Sequence, residues 1–146
     1  MHVTGACHCG AITFSAEVDA TKVVVCHCTD CQVLSTSAFR LGAIVLRETF
    51  AIQGDVREYR KVGSSGAERI QVFCPVCATG IYAYTPGDAG PYISLRLGPV
   101  HQRAQLVPGL QIWRRSALPW IDALSGVPGC AEQELIASMI PRQSQD

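Results

Sequence analysis

The chain has 146 residues, 48% of them hydrophobic and 16% charged, which excludes intrinsic disorder and fits one domain better than two. Twelve Lys and Arg offset twelve Asp and Glu, so the formal net charge is zero, a poor balance for a dedicated nucleic-acid binder. No run approaches the roughly 20 apolar residues of a membrane span.

Short β-type runs dominate in chain order. Ala11–Val18 alternates Ile12, Phe14, Ala16 and Val18 with Thr13, Ser15 and Glu17, the period of a strand with one buried face. Lys22–Cys26 carries three consecutive valines, and Thr29–Ser37 suits one or two helical turns. Ala43–Leu46 and Phe50–Ile52 flank a polar break, and Gly54-Asp55 reads as a turn before Val56–Lys61. Gly63-Ser64-Ser65-Gly66 is a second turn signal, followed by Glu68–Cys74, Gly80–Thr85 and Tyr92–Leu97. Gln133–Ile140 is compatible with a short helix ended by Pro141. Short strands with regular turn signals predict a mainly β fold of antiparallel sheets. Tyr82, Tyr84 and Tyr92 offer an aromatic patch, although strand aromatics at this period usually pack in a core.

The N-terminus Met1-His2-Val3-Thr4-Gly5-Ala6 has neither the basic start nor the apolar run of a secretory signal, so a cytoplasmic protein is expected. Eight cysteines in such a compartment need a reason other than disulfides. Seven fall in three clusters: Cys7-His8-Cys9, Cys26-His27-Cys28-Thr29-Asp30-Cys31 and Cys74-Pro75-Val76-Cys77; Cys130 stands apart. Zinc takes four tetrahedral ligands, and C-x-C and C-x-x-C spacings present paired sulfurs on one side of the chain. The competing explanations, buried small side chains or a thioredoxin-like redox pair, fit this spacing less well, since no βαβ pattern surrounds Cys74. Seven sulfurs suit one closed four-cysteine site and one three-cysteine site with an open position. Spacing alone does not say which clusters pair. The contiguous Cys26, Cys28 and Cys31 form the natural open triad, leaving Cys7, Cys9, Cys74 and Cys77 for the closed one. His27, His8 or Asp30 could instead complete the second site and make it structural.

Gly5-x-Cys7-x-Cys9-Gly10, Cys26-His27-Cys28-Thr29-Asp30-Cys31, Ser37-Ala38-Phe39 and Phe73-Cys74-Pro75-x-Cys77 together resemble the glutathione-dependent formaldehyde-activating enzyme family, which includes centromere protein V. The resemblance covers about residues 3–115, with Gln111-Ile112-Trp113 similar to a late Ile-Trp element. It implies a β-tent fold of small antiparallel sheets with few short helices. Residues 1–146 are then one zinc-binding domain with a turn-rich C-terminal extension over 116–146. It also implies two zinc ions per chain, one structural at Cys7, Cys9, Cys74 and Cys77 and one catalytic at Cys26, Cys28 and Cys31. The implied activity is carbon–sulfur lyase chemistry, joining glutathione or a related thiol to formaldehyde or reversing that step.

Three positions depart from the family pattern. Ala78 stands where Gly usually follows the last cysteine, Thr36 where Gly usually precedes Ser37-Ala38-Phe39, and Leu110 or Gln111 where His often precedes Ile-Trp. If position 78 needs positive φ, Ala costs roughly 1–2 kcal/mol there. The partners expected are a small-molecule thiol, with no nucleic acid and no membrane. The rival function is a non-enzymatic zinc module that binds another protein, because fold does not fix function. Ten of the twelve cations are Arg, which fits carboxylate recognition and fits ordinary surface preference about as well.

Overall fold

The computed structural model describes residues 1–63, 66–87 and 90–133. Ten strands form two sheets among these residues. The smaller sheet contains β1 (His2–Ala6), β2 (Thr13–Glu17) and β5 (Ala51–Gln53), all antiparallel, in the order β1-β2-β5. The larger is built from β3 (Val23–Cys26), β4 (Arg40–Leu46), β6 (Arg57–Val62), β7 (Glu68–Phe73), β8 (Gly80–Tyr84), β9 (Tyr92–Arg96) and β10 (Leu110–Ile112). Its order is β10-β3-β4-β9-β8-β7-β6. Every pairing in it is antiparallel except β10 on β3, which is parallel. One α-helix, α1 (Thr29–Ser35), follows β3, and short 3₁₀ turns fill several connections.

The alternation expected over Ala11–Val18 is what builds the core. Ile12, Phe14, Ala16 and Val18 are all buried, and they meet Val3 of β1 and Ala43, Val45, Ile81, Ile93 and Leu95 of the large sheet. Phe14 lies over Gly5, where a Cβ would stand 2.1 Å from the ring, so the bare backbone of β1 makes room for that ring. Gly54 closes the expected turn at φ 99, with the Ala11 carbonyl against it. Phe50 packs edge-on to Tyr82 at 5.0 Å, and Tyr82 and Tyr84 lean on the core. Of the three tyrosines of the suggested patch, only Tyr92 is exposed. The edge strand β6 is open to solvent and carries Arg57, Glu58, Arg60 and Lys61, charges that discourage further strand pairing.

Two features, both strands, differ from the sequence expectations. β1 has one buried apolar side chain, Val3, and two glycine or threonine neighbours, so its period was too faint to read. β10 is three exposed residues, placed by hydrogen bonding along β3 and not by any pattern of its own. The expected helix over Gln133–Ile140 falls on 134–140, outside the described residues.

The large sheet has two chemically different faces. One covers the core through Ala43, Val45, Ile81, Ile93 and Leu95. Period-two alternation sends the intervening side chains of β3, β4, β7 and β9 to the other face: Val24 and Cys26, Arg40 and Ile44, Arg69 and Gln71, Ser94 and Arg96.

Candidate metal centres and the adjoining cavity

Cys7, Cys9, Cys74 and Cys77 converge from two knuckles far apart in sequence, their sulfurs all within 4.8 Å of one another. In the first knuckle the Gly10 N–H donates to the Cys7 carbonyl (2.9 Å), and the Ile12 N–H donates to the Cys7 sulfur (3.2 Å). In the second, the Ala78 N–H donates to the Cys74 carbonyl (3.0 Å) and the Cys74 N–H to the Thr79 carbonyl (3.0 Å). Ala78 reaches this geometry at φ 58, the left-handed conformation the missing glycine would take without strain. The Thr79 hydroxyl bonds the Cys77 sulfur (3.2 Å) and accepts from the His8 N–H (3.2 Å), tying the two knuckles together.

Cys26, Cys28 and Cys31 form the second group, again with all sulfurs within 4.8 Å. Cys26 ends β3, Cys28 caps α1, and Cys31 lies in its first turn. The Cys28 sulfur accepts from the Cys31 N–H (3.4 Å), so the helix cap itself fixes one ligand direction. Thr36 ends the helix at φ 49, left-handed, with its N–H returned to the Gln32 and Val33 carbonyls.

Both groups fit zinc on their own geometry. Tetrahedral coordination at the usual zinc–sulfur distance places neighbouring sulfurs about 3.8 Å apart. The Cys7–Cys9, Cys9–Cys74 and Cys26–Cys28 sulfurs are 3.5, 3.8 and 3.5 Å apart, and all eight cysteines are free thiols. Crowded sulfurs resist ionising together. Burial first, then the Cys26 and Cys28 sulfurs, push the Cys31 thiol up to about 12. In the other group the Thr79 hydroxyl, then the Thr79 and Cys9 N–H groups, pull Cys77 down to about 5. A divalent cation among the sulfurs removes that mutual repulsion and leaves all of them as thiolates.

No histidine or carboxylate among the described residues joins either group. His27 lies between Cys26 and Cys28, and alternation turns it to the opposite side. There its ring is buried, with Nε2 2.8 Å from Gln111 Oε1 and its edge toward Phe39. The Gln32 side-chain amide donates to the His27 carbonyl (2.7 Å) and to the Ser116 carbonyl (2.8 Å), binding α1 to the segment after β10. Asp30 pairs with Lys61, and His8 is exposed. The alternative in which His27, His8 or Asp30 closes the second set is therefore not the arrangement found. Cys130 is exposed and belongs to neither group.

Cys26, Cys28 and Cys31 line a cavity of about 800 Å³ on the outer face of the large sheet. Its other polar walls are Arg40, Arg69, Gln71, Ser94 and Arg96, with Arg115 and the Lys61–Asp30 pair also lining it. A second cavity of about 1030 Å³ has no cysteine in its lining, and Arg40, Gln71 and Arg96 line both. The excess of Arg is plain in the sequence, but composition does not single out these positions. Arg69 and Arg96 stand at the polar positions of alternating strands and look like solvent-face residues until the sheet order is known.

A crystal structure of a Rhodobacter sphaeroides protein shares the fold, with a TM-score of 0.58 and 15% identity over 74% of this chain and 98% of that one. An uncharacterized lyase of Schizosaccharomyces pombe is 36% identical over 89 residues, 60% of this chain. The aligned part spans 61% of that relative's length. The model of the glutathione-dependent formaldehyde-activating enzyme family matches residues 2–116, including all seven clustered cysteines, and the chain belongs to that family.

Proposed function

We propose that the protein is a zinc-dependent carbon–sulfur lyase-type enzyme that forms or cleaves the S-hydroxymethyl adduct of glutathione or a related thiol. The observation that carries this reading is the three-sulfur group: it has no fourth protein ligand among the described residues, and it lines a cavity large enough for a small molecule. Three protein ligands and an approachable fourth position distinguish a catalytic zinc site from a structural one. Cys7, Cys9, Cys74 and Cys77 are the structural ligands in this reading, and Cys26, Cys28 and Cys31 the catalytic ones. Zinc, when bound, supplies the positive charge that ionises an incoming thiol near neutral pH.

The chain's residues then have defined tasks. Cys26, Cys28 and Cys31 fix the direction from which the thiol sulfur arrives, and the cavity wall holds the rest of that molecule. In the forward direction the sulfur lone pair forms a bond to the formaldehyde carbon, and the carbonyl π pair moves to oxygen. That oxygen takes up one proton, matching the one the thiol lost, so the reaction is neutral in protons. The reverse breaks the same carbon–sulfur bond. His27 is packed away from the cavity and Asp30 is engaged by Lys61, so neither is assigned a proton-transfer role. The same reading takes residues 1–146 as one zinc-binding domain. It acts in the cytoplasm, where free thiols persist.

The test is NMR exchange spectroscopy on ¹³C-formaldehyde and glutathione, with zinc-loaded protein. Accelerated exchange between free thiol and adduct, lost in Cys28→Ser, is the expected result. Exchange no faster than without protein would remove the enzymatic reading and leave the non-enzymatic zinc module in its place.

A further inference from the structure

Three guanidinium groups meet on the cavity face beside the three-sulfur group. Arg40 is the cross-strand partner of Cys26, and Arg96 is the partner of Gly42 on the next strand. Arg40 Nη1 and Arg96 Nη2 both donate to Gln71 Oε1, at 3.0 and 2.8 Å. Arg96 Nη1 also donates to Ser94 Oγ (3.0 Å), and Arg69 Nη1 to Thr85 Oγ1 (2.8 Å).

All of these partners are neutral. None of the three arginines forms an ion pair among the described residues, although Arg40 is only 9% exposed. Buried charge is costly unless compensated, and it persists where a counter-charge arrives from elsewhere. Burial, then the neighbouring Arg40, pulls Arg96 down to about 9. The sulfurs compensate only in part, because three thiolates around one divalent ion keep a single net negative charge. Among the described residues Asp30 is the one carboxylate in the cavity wall, and Lys61 takes it; Arg115 lies over the Trp113 ring at 4.7 Å. In a chain of zero net charge, the cavity is strongly positive. Guanidinium groups carry more donors than these bonds use, in a planar fork that matches a carboxylate.

We propose that Arg40, Arg69 and Arg96, gathered around Gln71 on the cavity face of the large sheet, form a carboxylate-binding site for the anionic end of the thiol substrate. The proposal rests on the function proposed above and narrows it: the preferred thiol is one that carries a carboxylate. A neutral or cationic thiol of the same size enters the cavity but finds no partner for the arginines. These residues position the ligand and do not touch the reacting carbon.

The test is calorimetric binding to the zinc-loaded full chain at low salt, with three probes. Glutathione has a thiol and free carboxylates, glutathione diethyl ester has the thiol only, and S-methylglutathione has the carboxylates only. Glutathione is expected to bind about tenfold or more tightly than the diester, the worth of a charge-assisted pair. Arg96→Gln and Arg69→Gln should shrink that ratio toward one by weakening glutathione while sparing the diester. Arg69 is the more exposed of the two, so its variant serves if Arg96→Gln fails to fold. S-methylglutathione should bind in an arginine-dependent way. A ratio near one in the unmodified protein overturns the proposal, as does equal weakening of all three probes by the variants. Arginine-dependent binding of S-methylglutathione without adduct exchange in the NMR assay would keep the carboxylate site and remove the proposed reaction instead.

Discussion

Ala78→Gly is expected to stabilise the protein, and the knuckle geometry gives the size of the gain. Ala78 sits at φ 58, where its Cβ crowds the backbone at a cost of about 1–2 kcal/mol. The turn cannot relax toward an ordinary φ without giving up two hydrogen bonds. The Ala78 N–H is held by the Cys74 carbonyl, and the Cys74 N–H by the Thr79 carbonyl, both at 3.0 Å. Glycine removes the crowding but adds about 0.5–1 kcal/mol of chain entropy to the unfolded state. The net gain is about 0.5–1 kcal/mol, or about 2–5 °C in melting midpoint for a chain of this length. Metal binding is coupled to folding, so the comparison is made at fixed free zinc, beside the rate of zinc loss to a chelator. Ala51 is the control: it is exposed in β5 and its φ is not positive, so Gly there should lower stability by about 0.5–1 kcal/mol. If Ala78→Gly melts no higher than the parent, or drops as Ala51→Gly drops, the strain argument is wrong.

Thr36→Gly should gain about 1 kcal/mol by the same reasoning, since a β-branched residue at φ 49 is more strained still; a loss in urea titration would mean that the Thr36 hydroxyl bond to the Ser35 carbonyl matters more than the strain. Cys74→Ser should unfold the protein, because a structural zinc contributes on the order of 10 kcal/mol. Cys28→Ser should keep the fold, since serine also caps a helix, and should abolish exchange; matching melting curves for these two variants would contradict the division of roles. Metal analysis should return two zinc ions per chain and about one after Cys26→Ser, and an unchanged count would remove the second site. Glu17 is held below the ordinary carboxylate range, first by the His2 ring and then by its charge and that of the N-terminus. The sign follows: this contribution is complete above the ordinary carboxylate value and is lost as pH falls through the lowered one. His2→Ala should raise the Glu17 titration point in an NMR pH series, and no movement would exclude the pairing.

How much could be read from the sequence depended on whether the signal was local. The period-two run around Phe14, the triad Cys26, Cys28 and Cys31, and the turn at Gly54 are each local, and each is where it was expected. Pairing Cys7 with Cys74 is a long-range fact, and spacing left it open; it came from the family resemblance, and the folded chain brings the four sulfurs together. The left-handed turns at Ala78 and Thr36 were visible only as departures from a glycine. The arginine cluster was illegible for a different reason. Arg40, Arg69 and Arg96 come from β4, β7 and β9, and strand order alone decides that they face one cavity.

β10 explains why no histidine joins the three-sulfur group. Period-two geometry sends Cys26 and Cys28 to one side of the chain and His27 to the other, but a ring left free there could still swing toward a cation. β10 prevents that. Lying parallel to β3, it brings Gln111 opposite Val25 and next to Ile112, whose partner is Cys26. From that position the Gln111 amide oxygen meets His27 Nε2, and the His27 backbone N–H donates to the Ile112 carbonyl (3.0 Å). The imidazole is thereby enclosed beside Phe39, and turning it toward the sulfurs would break its bond to Gln111 and vacate a packed site. Three exposed residues with no periodicity of their own thus hold the Nε2 of that ring, while its Nδ1 stays buried without a hydrogen-bond partner. They leave the three-sulfur group facing a cavity whose charge is set by arginines from three other strands.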